Sequence, residues 1–115
     1  AGRVGGNVVV EMYGDAQMMC NIYGGGRKAS VGMMADGTMY PDNDHEHGNI
    51  YVTVNNVVGV MPTDVTSNDW KVPTSGSVYG GCMGDGIHAN MGLAKNTYVN
   101  IMDGAQIIAN VYGGG

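Results

Sequence analysis

The sequence lacks phenylalanine and has little tryptophan, proline and charge. Of 115 residues, none is Phe, one is Trp and three are Pro. Charged residues make up 13%, against about 25% in ordinary globular domains. A disordered chain would carry more charge and fewer apolar residues than the 43% present here. Gly is abundant at 21 residues but keeps no three-residue period, which excludes collagen. The composition therefore allows one folded domain with an aliphatic core.

Positive charge is also scarce, and the net charge is −5 at pH 7. Nucleic-acid binding needs a clustered basic face, and docking on anionic membranes needs a similar patch. No apolar run approaches the length of about 18 residues that a membrane-spanning helix requires. We therefore expect neither nucleic acid nor membrane insertion. The basic residues are scattered along the chain: Arg3, Arg27, Lys28, Lys71 and Lys95.

Common catalytic motifs are absent from the sequence. It contains no G-x-S-x-G elbow, no P-loop and no H-E-x-x-H pair. A polysaccharide-cleaving β-helix would carry a row of carboxylates on one outer face. Here Glu11 aligns with Thr53 and Asn100, so no acidic row forms. We therefore expect that the protein is not an enzyme.

The dominant feature of the sequence is an internal repeat. Segment 7–26 returns without a gap as 96–115, with 9 of 20 positions identical. A third, interrupted copy covers 49–82, as NIYVTVNN and then SVYGGC, with an insertion expected over 57–76. Recurring segments of this kind are typical of stacked structural units. The sequence therefore predicts a single β-repeat domain over 1–115.

Each copy begins with Asn and a strand in which side chains alternate. A period of two residues indicates a strand, and no segment shows a sustained helical period. We expect one aliphatic face of these strands to point inward and the intervening stretches 27–48 and 83–95 to form loops. The predicted inward residues are Val8, Val10 and Met12, then Ile50, Val52 and Val54, then Thr97, Val99 and Ile101.

The spacing of the copies favours one all-β architecture over another. The copies start 42 and then 47 residues apart, which predicts a β-solenoid, or parallel β-helix, of about three repeat coils. A small β-sandwich with antiparallel strands is the alternative. The solenoid is favoured because equivalent residues recur in both the strands and the turns.

Tyrosine and cysteine mark two further positions. Tyr23, Tyr79 and Tyr112 precede glycine in every copy, so they are candidate stacking and assembly residues that form a ladder of rings. Cys20 aligns with Ala109, which predicts a small buried side chain. A disulfide between Cys20 and Cys82 stays open, because the sequence does not decide connectivity.

The N-[TIV]-x-V-x-[IVM] strand, the glycine turn and the closing VYGGG resemble the glycine-rich YGGG-repeat surface proteins of gut-type bacteria. The resemblance covers the 20 residues of each terminal copy and a split version in the middle. It implies a parallel β-helix and secretion to the cell surface, with a structural or adhesive role. It implies no defined activity.

The two chain ends also suggest self-association. The opening AGRVGGN is similar to the material that follows a YGGG, and the sequence closes on VYGGG. We therefore expect a segment of a longer array, or a subunit that stacks head to tail on itself in a filament; an isolated domain is the alternative. A head-to-tail contact gives open polymers unless the rotation closes a ring.

The segment YPDNDHEHGN is the strongest candidate for a metal site. Asp42, Asp44, His45 and His47 lie within six residues, and His45 and His47 point the same way on an extended chain. Such a group suits Zn²⁺ or Cu²⁺ through the imidazoles, or Ca²⁺ through the carboxylates. A solvated loop is the alternative, and no other cofactor is expected. Trp70 either covers an end of the core or is a carbohydrate-stacking ring on a loop. The second hypothesis for function is therefore a glycan- or metal-binding β module.

Overall fold

The structure is a computed structural model that describes residues 2–60, 76–84 and 92–114. The described residues form short β-strands and no helix, so that part of the chain holds no helix able to cross a membrane. The expected all-β class is confirmed. The strands in chain order are β1 (Arg3–Val4), β2 (Val8–Met12), β3 (Gln17–Met18), β4 (Ile22–Tyr23), β5 (Ser30–Val31), β6 (Asn49–Val54), β7 (Val57–Val58), β8 (Val78–Tyr79), β9 (Asn96–Ile101), β10 (Gln106–Ile107) and β11 (Val111–Tyr112).

The strands form parallel sheets, and each strand pairs with its counterpart in the next copy. Three sheets hold three strands each, in the orders β2-β6-β9, β3-β7-β10 and β4-β8-β11. A fourth sheet pairs β1 with β5, and a parallel bridge joins Val31 to Ala94. We call β1–β4 the first repeat, β5–β8 the middle repeat, and the stretch from Ala94 through β11 the third repeat.

The register of the longest sheet is the one that the repeat alignment predicts. Val52 of β6 pairs with Val10 on one side and with Val99 on the other. A slip of one residue would turn every inward side chain outward, so the aliphatic face holds the register in place. The face assignment is confirmed as well, since Val52 is fully buried and Tyr51 is 41% exposed.

All four sheets contribute to one hydrophobic core. The middle repeat is the best covered, because it has a neighbouring repeat on both sides. Its inward residues are fully buried, whereas Val10 and Val99, at the same position of the outer repeats, are half-buried. The buried core residues are Met12, Ile22, Val31, Ile50, Val52, Val54, Val58, Val78 and Cys82.

Glycine after each tyrosine lets two sheets approach closely. A Cβ atom on Gly24 would lie 2.5 Å from Cγ2 of Ile50 and 2.9 Å from Cγ2 of Val52. Real Cβ atoms do not come that near to other carbons, so sheets β4-β8-β11 and β2-β6-β9 pack face to face only with glycine there. Close backbone approach is a usual reason for glycine beside a strand.

The prediction that 57–76 is wholly an insertion is wrong at its start. Val57 and Val58 form β7, which pairs with β3 and β10. The next residue, Gly59, lies close to Gly76, and both have positive φ (100° and 97°). Glycine is required here because a side chain would be strained by the φ and would strike the facing residue.

The prediction that 27–48 is only a connecting loop is also incomplete. Ser30 and Val31 form β5 and are buried against the core. The chain leaves the sheet at Gly32 and returns at Gly48, again through two close glycines with positive φ. The excursion over 33–47 is therefore closed at its base by a glycine pair.

The expected burial of Cys20 is wrong. Cys20 is exposed, Cys82 is buried, and both are free thiols. Met19, which aligns with Ile108 of the last copy, is also exposed, at 61%. Cys20 and Met19 follow β3, an outer strand that pairs on one side only, whereas an alignment carries no information about which repeat lies outermost.

Candidate functional site

A ladder of tyrosine rings runs across the three repeats. The ring centroids of Tyr23 and Tyr79 lie 4.7 Å apart, and those of Tyr79 and Tyr112 lie 4.9 Å apart. The rings are nearly parallel, with interplanar angles of 4° and 9°. Parallel pairing of β4, β8 and β11 places the same residue at the same height, so the rings stack. Tyr112 ends the ladder and is 44% exposed.

A second tyrosine pair, which the sequence analysis did not single out, lies on the outer face of β2-β6-β9. Tyr51 and Tyr98 stack with centroids 5.1 Å apart and an interplanar angle of 12°. Val9 holds the same position in the first repeat and is 61% exposed. The alternation of side chains along the strands could have predicted this pair, because it places Tyr51 and Tyr98 at the same outward position.

The asparagine that opens each copy forms a hydrogen-bonded ladder. The backbone N–H of Asn49 donates to Oδ1 of Asn7 at 2.9 Å. The Nδ2 of Asn96 then donates to Oδ1 of Asn49 at 3.1 Å. Asn49 is buried, so these bonds satisfy a polar group that would otherwise cost free energy in the core. Recurrence of asparagine at this position therefore has a structural cause.

Asp44 organises the turn that contains the predicted metal ligands. Its carboxylate accepts hydrogen bonds from the backbone N–H groups of Glu46 and His47, each at 2.9 Å, and lies 3.0 Å from Nδ1 of His47. These bonds, above all the one from the His47 side chain, lower the pKa of Asp44 from 3.8 to about 2. The ring of His47 stacks on Tyr40 with centroids 4.1 Å apart.

The backbone carbonyls of the same turn bind side chains from all three repeats. Asn7 of the first repeat donates to the carbonyl of Glu46 at 3.0 Å. Asn49 of the middle repeat donates to the carbonyl of His45 at 3.1 Å. Lys95 of the third repeat donates from Nζ to the carbonyls of Asp44 and His47. Residues 44–47, which we call the three-repeat clasp, thus join the whole stack along one side.

The structure brings together two of the four predicted metal ligands. Asp44 and His47 are in contact, whereas Asp42 and His45 are exposed and make no side-chain hydrogen bond to that pair. Within 2–60, 76–84 and 92–114, no three His, Cys, Asp or Glu side chains form a group suited to a metal ion. The metal site stays a prediction, and Trp70 lies outside the described residues.

The two outer surfaces of the stack expose apolar side chains at positions that the middle repeat buries. Val111 is 46% exposed, whereas its partner Val78 in β8 is fully buried. Met18 is 40% exposed at the other surface, whereas its partner Val58 is fully buried. All four residues are apolar, so the difference in exposure comes from their place in the outer or the middle repeat. Each outer surface therefore leaves apolar side chains uncovered.

No family model matches the chain, and no match was found among the curated proteins or the solved structures. The resemblance to YGGG-repeat surface proteins therefore stays a prediction.

Proposed function

We propose that the chain is three coils of a β-solenoid and serves as a structural, non-enzymatic and adhesive extracellular repeat protein that assembles head to tail into filaments. One observation carries the proposal. Val78 and Val58 of the middle repeat are fully buried, whereas their partners in the outer repeats, Val111 and Met18, are 46% and 40% exposed. An outer repeat acquires the burial of the middle one only when a further repeat covers it, and the third repeat of one copy fits the first repeat of the next.

The side-chain ladders support this stacking. Placed on the first repeat of a second copy, Tyr112 would meet that copy's Tyr23 and extend the ring ladder. Asn96 would meet the second copy's Asn7 and extend the amide ladder. Like residues face like residues because the terminal copies share 9 of 20 positions, so the new contact would repeat those already present inside the chain.

Backbone pairing supports the same contact. The outer strands β2 and β9 of the longest sheet each have one paired edge and one unpaired edge. Unpaired N–H and C=O groups at a sheet edge are a template for a further strand. The two edges belong to different surfaces of the molecule, so each copy can add another at both ends. A contact of this heterologous type gives an open filament unless it closes.

Glycine positions make the proposal testable. A Cβ atom on Gly24 would strike the carbonyl of Gly80, and one on Gly80 would strike the carbonyl of Gly113. At Gly113 itself a Cβ atom meets nothing within 4 Å. In the filament, the carbonyl of Gly24 from the next copy would fill that space. Gly113→Ala should therefore leave the single chain folded and block the addition of a second copy.

The experiment compares the wild-type protein with Gly113→Ala by electron microscopy and light scattering. We expect wild-type filaments with strands about 4.8 Å apart along the axis, and discrete particles for Gly113→Ala with an unchanged circular dichroism spectrum. Thr53→Ala is the control, because Thr53 lies on the outer face of the middle strand, away from both ends. Filaments of Gly113→Ala as abundant as those of the wild type, or a monodisperse wild-type monomer, would refute the proposal.

The extracellular location rests on the resemblance to surface proteins and has its own test. Antibodies against the chain should label intact cells that produce it, without permeabilisation. Labelling that appears only after permeabilisation would contradict this part of the proposal. It would leave the assembly of the purified protein unaffected.

A further inference from the structure

Tyr51 and Tyr98 stand apart from the other stacked tyrosines because both rings are open to solvent. They are 41% and 52% exposed, on strands β6 and β9 of the longest sheet. The rings of Tyr23 and Tyr79, in the other ladder, are half-buried. Tyr13 is comparably exposed at 48%, but no ring contact joins it to another aromatic residue of the described part. Tyr51 and Tyr98 are thus both accessible to solvent and stacked on each other.

The chemistry that uses both properties is radical coupling of phenols. A one-electron oxidant removes one hydrogen atom from each tyrosine hydroxyl, and the unpaired electron spreads to the ring carbons beside the oxygen. Two such radicals form a carbon–carbon bond between these carbons and recover their aromaticity by shifting the ring hydrogens to the oxygens. The pair loses two electrons and two protons in total. One hydrogen peroxide, acting through a haem peroxidase, accepts them and becomes two water molecules.

We propose that Tyr51 and Tyr98 are a site of oxidative cross-linking, joined within one chain as dityrosine by a peroxidase-type oxidant. The near-parallel rings, with centroids 5.1 Å apart, hold the two reacting groups together before oxidation. Holding two reactants in place gives a large effective concentration, so coupling within the pair outruns coupling between molecules. The bond ties β6 to β9 covalently, in addition to the backbone ladder and the hydrogen bond between Asn49 and Asn96.

The site does not depend on filament formation, because both rings belong to the same chain. A covalent link between residues distant in sequence restricts the unfolded chain, as a disulfide does. We therefore expect the oxidised protein to unfold at a higher temperature than the untreated protein. The phenylalanine variants Tyr51→Phe and Tyr98→Phe keep the stacked rings but lack the hydroxyl from which the radical forms, so they separate the chemistry from the packing.

The test treats the purified protein with a haem peroxidase and hydrogen peroxide. It measures dityrosine fluorescence, the loss of two hydrogen atoms from the intact mass, and the linked peptides after digestion. A mixture of isotope-labelled and unlabelled protein distinguishes links within one chain from links between chains. We expect a Tyr51–Tyr98 peptide pair with both partners of the same label, and about a tenfold loss of fluorescence in either phenylalanine variant. Tyr13→Phe is the control of matched exposure and should keep the wild-type yield.

Two outcomes overturn the proposal. One is a dominant link that joins mixed labels, or that maps to Tyr13 or to Tyr79 and Tyr112. The other is fluorescence in Tyr98→Phe equal to that of the wild type. Either result would mean that the stacked, exposed pair is not the preferred site of coupling.

Discussion

Alanine substitution of one inward valine in each repeat tests the central feature of the structure. The same register position holds a valine in each repeat: Val10, Val52 and Val99. The side chains are identical, so the variants differ only in how deeply the substituted residue is buried. Val52 is fully buried, and its truncation removes two methyl groups worth about 0.8 kcal/mol each and leaves a cavity, for a total of about 2–3 kcal/mol. Val10 and Val99 are less buried than Val52, so truncation of either should cost less.

The assay is urea denaturation of the three variants, each made together with Gly113→Ala so that assembly does not contribute. The denaturant slope should stay constant while the midpoint falls, which reports a change in stability alone. If Val52→Ala costs no more than Val10→Ala and Val99→Ala, the middle repeat is not the covered one and the stacking order is wrong. When the three variants are made without Gly113→Ala and assemble, their losses of stability should become similar, because neighbouring copies then cover both outer repeats.

Three further substitutions test the contacts between repeats. Gly24→Ala should destabilise the fold by about 1–3 kcal/mol or more by overpacking the core, measured by thermal denaturation against Gly113→Ala; equal midpoints would contradict the close approach of the two sheets. Asn49→Ala removes two side-chain hydrogen bonds and should lower the free energy of unfolding by about 2 kcal/mol in urea denaturation. The control Asn100→Ala, on the outer face, should lower it little. Equal losses of stability in the two variants would argue against the amide ladder. Asp44 has a pKa of about 2 in the folded state and an ordinary value of 3.8, so its stabilising contribution is present above pH 4 and is lost as the pH falls from 3.8 towards 2. In Asp44→Asn that part of the acid transition should be absent from a pH series of unfolding midpoints, and an unchanged acid transition would refute the role of this carboxylate.

The register of the long strands could be predicted from the sequence because two signals agree on it. The alternation of Val8, Val10 and Met12 defines an inward face, and the ungapped repeat aligns that face with β6 and β9. A shift by one residue would break the alternation, and a shift by two would break the alignment. The tyrosine that precedes the glycines of each copy recurs at an aligned position. Its recurrence was therefore sufficient to predict a ladder of rings.

The short strands could not be predicted in the same way. Two residues, as in Val57–Val58 or Ser30–Val31, show no alternation, and hydrogen bonds to the neighbouring repeats alone make them strands. The two close glycine pairs are similarly hidden. Gly59 and Gly76 are separated by residues unrelated to the repeat, and only the folded chain brings their backbones together.

The role of the three-repeat clasp in joining the repeats could not be predicted from its side chains, because its backbone carbonyls accept the bonds from the three repeats. Asp44, His45 and His47 suggest metal ligands by residue type. In the structure, the Asp44 side chain serves the turn's own N–H groups and the His47 ring. The carbonyls, which every residue type carries, bind the three repeats. A sequence shows which side chains are present but not which backbone groups a turn presents.

The clasp also makes the stack differ from a simple chain of identical contacts. Tyrosine and asparagine ladders join each repeat only to its neighbour, and a stack held by such contacts alone can unfold from one end, repeat by repeat. Residues 44–47 instead contact the first repeat through Asn7 and the third through Lys95. Losing either outer repeat therefore breaks clasp bonds as well as ladder contacts with the middle repeat. The ladders recur between successive repeats, whereas the clasp adds bonds from one turn of the middle repeat to both outer repeats.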